Sequence, residues 1–144
     1  MKYKKIILIL SILIIILGIA NAILLFIPKQ ENQNINYKDK IILNNFKENQ
    51  EIISPLEITG KARGAWFFEA SFPVILTNWD GLIIAEGYAT AQDNWMTENF
   101  VNFTAKLEFE KPNTYNNGTL ILKKDNPSGL PENDDALEIP ITFK

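Results

Sequence analysis

The sequence contains no cysteine and no histidine. The first absence excludes disulfides, thiolate nucleophiles, cysteine-ligated metals and a lipid-carrying cysteine. The second removes Ser-His-Asp and Cys-His arrangements, the usual zinc sites and the commonest general base. Arginine is scarce too, with Arg63 the only one. Setting Lys2, Lys4 and Lys5 aside from the 14 basic residues leaves 11 against 17 acidic ones, a balance of −6. Such an acidic remainder argues against nucleic acid, whose phosphates need a basic surface.

What is present begins with a long apolar run. From Ile6 to Ile27 only Ser11, Gly18 and Asn21 interrupt it. As a helix this run would span roughly 33 Å, enough to cross a hydrocarbon core of about 30 Å. Lys2, Lys4 and Lys5 precede it and no acid lies before Glu31. That bias keeps the N-terminus cytoplasmic and puts the C-terminal part outside the cell membrane, as a single-pass protein. The alternative is a cleaved signal peptide, since Ala20-Asn21-Ala22 has the spacing of a cleavage site. The apolar run continues from Ile23 to Ile27 beyond that point, which favours a retained anchor over residues 1–28. Residues 29–39 are polar and read as a tether without fixed structure.

Residues 40–144 read as one all-β domain of about seven antiparallel strands. Ile41 begins the first strand, and the stretch from Ile52 to Gly60 forms the second, with Pro55 marking an edge or bend. The stretch from Trp66 to Thr77 is the richest. With period two it puts Trp66, Phe68, Ala70, Phe72, Val74 and Leu76 on one face, as a single long strand with an apolar side. Asn78-Trp79-Asp80-Gly81 is a hairpin turn leading to a fourth strand. A three-residue loop would set Val74 opposite Glu86. An even loop sets Ile83, Ala85, Gly87 and Ala89 beside the apolar face and turns Glu86 and Tyr88 outward, so an even loop is expected. Val101, Phe103, Ala105, Leu107 and Phe109 alternate with polar residues in the fifth strand; the sixth follows Gly118, and the seventh alternates Leu137, Ile139, Ile141 and Phe143. This pattern fits an immunoglobulin-like β-sandwich, with Trp66 where such sandwiches often bury a tryptophan.

The domain resembles the bacterial spore germination immunoglobulin-like domain family over about residues 41–144. The resemblance rests on Ser54-Pro55-Leu56, Thr59-Gly60, Ala62-Arg63-Gly64 and Phe68-Glu69-Ala70. Trp95-Met96-Thr97-Glu98-Asn99-Phe100 and Ile139-Pro140-Ile141 add to it. It implies an extracytoplasmic β-sandwich of the cell envelope with no established catalytic residues; no cofactor is expected from the sequence.

Candidate sites follow from these faces. Arg63 has the rigid fork that suits a carboxylate, and Glu69 is one candidate partner; the simpler role is to pin the turn ahead of the long strand, with Gly64. Trp66, Phe68 and Phe72 are expected core, and Trp95 is expected to plug one end of the domain. Phe67, Glu69, Pro73 and Ile75 are left on an outer face unusually apolar for a surface. With Trp79 at the hairpin tip and outward Tyr88, the residues Phe67, Glu69 and Ile75 make the candidate binding set. The loop from Asp125 to Asp135 is rich in oxygen ligands, and Asp125, Asp134 and Asp135 are calcium candidates, but Pro127 and Gly129 break EF-hand spacing and the composition equally suits a plain turn. The expectation is therefore a non-catalytic, membrane-anchored module that binds another envelope protein or a cell-wall component. The alternatives are a spacer with no ligand of its own and, more distantly, an envelope glycan hydrolase.

Overall fold

The structure, a computed structural model, describes Tyr3 and residues 34–144. The expected anchor, residues 6–27, lies outside the described residues. No helix among the described residues is long and apolar enough to cross a membrane.

Nine strands form the domain: β1 (Ile35–Tyr37), β2 (Ile41–Leu43), β3 (Gln50–Ile52), β4 (Leu56–Arg63), β5 (Ser71–Asn78), β6 (Ile83–Ala91), β7 (Phe100–Leu107), β8 (Asn117–Lys123) and β9 (Ala136–Phe143). They make one curled sheet in the order β1-β2-β4-β7-β6-β5-β8-β9-β3. All neighbours run antiparallel except β3, which lies parallel to β9. The alternation read from sequence supplies the core. Leu56, Ile58 and Ala62 of β4, Val101, Phe103, Ala105 and Leu107 of β7, Leu120 and Leu122 of β8, and Leu137, Ile139, Ile141 and Phe143 of β9 are all buried. Phe72 of β5 meets Phe103 edge-on at 4.9 Å, a contact contributing about 1 kcal/mol beyond simple burial.

Several expectations change, beginning with the strands themselves: nine form rather than about seven, and one of them, β3, is parallel to its neighbour. The tether was expected to run to residue 39, yet Ile35–Tyr37 is strand β1. Ile35 and Tyr37 pack on the core, and Tyr37 meets Trp66 edge-on at 6.3 Å, so the period-two pair is long enough to add one edge strand. The second strand divides at residues 53–55. Its first part becomes edge strand β3 beside β9, and its second becomes β4 between β2 and β7. Pro55 has no amide for a ladder, and Ser54 turns its Oγ to accept the Phe109 N–H at 3.0 Å.

The long strand from Trp66 to Thr77 is likewise broken. Gly64–Trp66 is one turn of 3-10 helix, and Glu69 and Ala70 follow with φ of 49° and 64°. Phe68 and Ser71 exchange backbone hydrogen bonds around that pair, which makes a tight left-handed turn. The extra turns reset the alternation, so Phe67 faces inward and Phe68 outward.

The β5–β6 hairpin is more informative than its loop length. Asn78 N–H donates to Leu82 O at 2.9 Å, leaving Trp79, Asp80 and Gly81 as a three-residue loop. An even loop was expected. A bulge between Leu76 and Thr77 then shifts the register, so that Phe72 faces Ala89, Val74 faces Gly87 and Leu76 faces Ala85. The bulge does what the even loop was expected to do: Glu86 and Tyr88 point away from buried Phe72. Ile83 is the exception, because it lies on the hairpin side of the bulge and is exposed.

Candidate functional site

Away from the edge strands β1 and β3, strand β6 is where the sheet is least closed. On one side it pairs with β5 from Ser71↔Thr90 to Thr77↔Ile83. On the other it pairs with β7 only at Thr90↔Thr104 and Ala91↔Phe103. Backbone direction alternates along it: Ala91 N–H donates to Ala70 O beside β5, whereas Gln92 N–H donates to Asn102 O beside β7. The backbone groups of Glu86 and Tyr88, which share the parity of Gln92, therefore face the side where β7 departs. Gly87 lies under that departure: a Cβ there would come 3.0 Å from Leu107 Cδ2. Leu107 thus seals the core below while the outer edge stays open.

Two concavities mark the opening. One, of about 520 Å³, lies between Glu57, Tyr88, Thr90, Thr104 and Lys106. The other, of about 660 Å³, lies between Ser54, Pro55, Ile84, Glu108 and Phe109. Tyr88 stands at the first with 64% of its surface exposed. Lys106 donates to Glu108 at 2.8 Å, and each holds the other charged: hydrogen bond and charge together lower the Glu108 pKa and raise that of Lys106. Across the outer face Tyr88 lies opposite Pro73, and Ile75 lies between Glu86 and Ile121. Ile75 is half-buried by these cross-strand neighbours.

The tip of the β5–β6 hairpin carries a second group. Trp79 meets Tyr115 edge-on at 4.8 Å, and Leu82 and Ile83 are exposed beside it. Asn78 Oδ1 accepts the N–H groups of Asp80 and Leu82, so the loop amides are bonded from within. Tyr115 was not singled out from sequence, nor were Glu57 and Lys106. No local pattern joins them to Trp79 or Tyr88; only the long-range ladders do.

The remaining expected residues fall elsewhere. Phe67 does not belong to an outer binding face: it is buried, edge-on to Phe72 at 5.2 Å. Phe68, expected in the core, is 40% exposed. Both follow from the reset after Gly64–Trp66. Arg63 does not pair with Glu69, which sits in the left-handed turn. Its Nε donates to Asp39 O at 3.1 Å, its Nη2 to the Asp39 carboxylate, and its Nη1 to Glu98 O at 3.5 Å, while its guanidinium stacks over Phe100 at 4.0 Å. It clamps the β1–β2 turn to the β6–β7 loop. At Gly64 a Cβ would lie 1.8 Å from Thr97 O, so that loop rests directly on its backbone. Trp66 and Phe72 are buried, and Trp95 packs against the core half-covered. Trp66 Nε1 is buried and has no hydrogen-bond partner among the described residues.

The acidic loop is held together internally. Asn126 Nδ2 donates to Leu130 O and to Asp134 Oδ1, and Lys124 donates to Asn133 O. Asp135 is engaged by Lys40 and by Tyr37 OH. Burial disfavours its charge, but the Lys40 and Tyr37 hydrogen bonds and the nearby Lys40 and Lys38 charges outweigh that and lower its pKa. Asp125 and Asp134 share a concavity of about 330 Å³ with Lys123 and Lys124. Among the described residues no group of three or more acidic side chains is arranged to hold a metal ion.

A family model described as the immunoglobulin-like domain of bacterial spore germination matches residues 44–129, more than half of the chain and a span from β3 through β8. No curated protein and no solved structure matches the chain.

Proposed function

The chain belongs to the family of immunoglobulin-like domains of bacterial spore germination, and from that premise we propose a non-catalytic binding module. It is tethered by residues 6–27 to the cell membrane and holds a protein or cell-wall component on the extracytoplasmic side. The open flank of β6 is its contact surface. The observation that carries this reading is the coincidence of exposed Tyr88 with backbone that faces away from β5 where β7 has departed. An extended segment laid along such an edge gains main-chain hydrogen bonds, and side chains such as Tyr88 and Ile84 give it selectivity.

Hydrolysis of envelope glycans fits the flank poorly. A general acid needs a carboxyl held protonated in a sheltered site, and Glu108 is instead exposed and ion-paired with Lys106 at 2.8 Å. A spacer without a ligand is the reading that the outward residues of β9 and the far part of β4 would suit, with Lys61 and Glu138 exposed.

Photo-crosslinking in native membranes separates the two. A crosslinking residue at Tyr88 should give a discrete adduct that one at Glu138 does not. Equal or absent adducts from both positions would favour the spacer.

A further inference from the structure

We propose that the hairpin end of the domain rests on the outer face of the bilayer, with Trp79, Leu82 and Tyr115 in the lipid interface. The inference rests on the reading of residues 6–27 as a membrane anchor.

The direction of the chain supports it. Ile41 pairs with Ala62 and Leu43 with Gly60, and Ile35 pairs back onto Leu43. The chain before Ile35 therefore heads along β4 from Ala62 toward Leu56; Asn34 Oδ1 accepts the Asn45 N–H on that side. On β7 the same direction leads from Val101 to Leu107, and on antiparallel β6 it leads from Ala91 to Ile83 and the hairpin tip. The N-terminal side of the domain and the tip thus point the same way.

Length then decides how far the tip can stand off. Residues 28–33 separate Ile27 from Asn34. Fully stretched, that connection reaches roughly 24 Å at about 3.4 Å per step. Ala91 lies level with Phe103 and hence with Gly60 and Ile35. From Ala91 back to Ile83 β6 covers roughly 26 Å at about 3.3 Å per residue. That connection is no longer than the strand, so the tip would lie within reach of the surface if the strands stood upright on it.

The tip has the chemistry for that place. Tryptophan and tyrosine favour the membrane interface, where an apolar ring is covered and a polar edge stays wet. Trp79 and Tyr115 are 48% and 53% exposed, Leu82 is 65% exposed, and Ile53 is exposed at the same end. The Asn78 bonds satisfy the Asp80 and Leu82 amides, which lowers the cost of partial dehydration. Acids are in slight excess at this end, with Glu48, Asp80, Glu108 and Glu110 against Lys47, Lys111 and Lys144, so no preference for anionic lipid is expected. Phe68, Met96 and Leu130 are also exposed, but at the opposite end.

The test uses the full chain in phosphatidylcholine vesicles containing a lipid brominated near the glycerol end of one acyl chain. The three tryptophans serve as reporters: Trp79 is at the tip, Trp66 is buried, and Trp95 is in the β6–β7 loop at the far end. Tryptophan emission should be quenched, with most of that quenching lost in W79F and kept in W95F. A chain that floats with the vesicles but shows equal quenching in both variants overturns the inference. A chain that does not float overturns the anchor reading and this inference with it. Absent quenching in vesicles, with Trp79 crosslinking to a protein in native membranes, assigns the tip to a protein partner instead.

Discussion

Arg63 grips Asp39 twice, with Nε on its carbonyl and Nη2 on its carboxylate, across 24 residues of sequence. The carboxylate is largely exposed, so the ion pair alone is worth about 0.5 kcal/mol. The carbonyl bonds and the Phe100 stack are what make the arginine specific. R63A is expected to cost about 1–2 kcal/mol and R63K most of that, because lysine lacks the fork. In urea unfolding, a double-mutant cycle should show coupling of Arg63 with Asp39 and none with Glu69. Coupling to Glu69 would contradict the geometry described above.

Gly64 is held by contact rather than by conformation. G64A would drive a methyl group into the Thr97 and Trp95 carbonyls, which are backbone and cannot swing aside. A loss of about 3 kcal/mol is expected from such overpacking, seen as a lower urea midpoint with an unchanged slope. A shift within measurement error would mean that the β6–β7 loop moves freely.

The turn at Glu69 and Ala70 should be improvable. Both residues occupy left-handed backbone at a cost of roughly 1 kcal/mol each, in a two-residue turn that favours Asn-Gly. E69N/A70G is expected to raise stability by about 1 kcal/mol, read as a higher melting temperature. A drop would show that the Glu69 side chain makes a contact of its own.

This region also shows what the sequence could and could not reveal. Alternation in β4, β7 and β9 was legible because each strand has one buried face and one wet face. The stretch after Arg63 keeps an apolar alternation through a helical turn and a tight hairpin, so period two persisted where the backbone did not. Phe67 and Phe68 were therefore exchanged. Tyr88 was placed outward from sequence because Glu86 on the aromatic face would have been costly. The opening beside it was invisible, since it depends on where β7 leaves β6, a matter of sheet curvature rather than of local residue type. Tyr115 reaches Trp79 only through the pairing of Asn78 with Gly118.

Asp135 should give the domain an acid limit. Its folded pKa lies below the ordinary carboxylate value, so its charge stabilises the fold above about pH 4 and that contribution is lost as pH falls through the lowered value. Melting temperature is expected to decline below that point, and D135N should flatten the decline while lowering stability at neutral pH. Identical pH profiles for the two proteins would sink this account.

Phe67 and Tyr88 entered the same candidate set from sequence, yet the structure gives them opposite roles. Phe67 is 4% exposed and packs on Phe72, so F67A should remove about 3–4 kcal/mol through lost burial and a cavity. Tyr88 stands in solvent on the open flank, and Y88A should change stability by no more than about 0.5 kcal/mol. Binding ought to divide the other way. F67A protein that remains folded at low temperature should keep its envelope partner, whereas Y88A should lose it while melting almost as wild type. A Y88A protein that is both stable and fully competent to bind would move the contact surface away from β6, because no other side chain on that edge combines its size with its exposure.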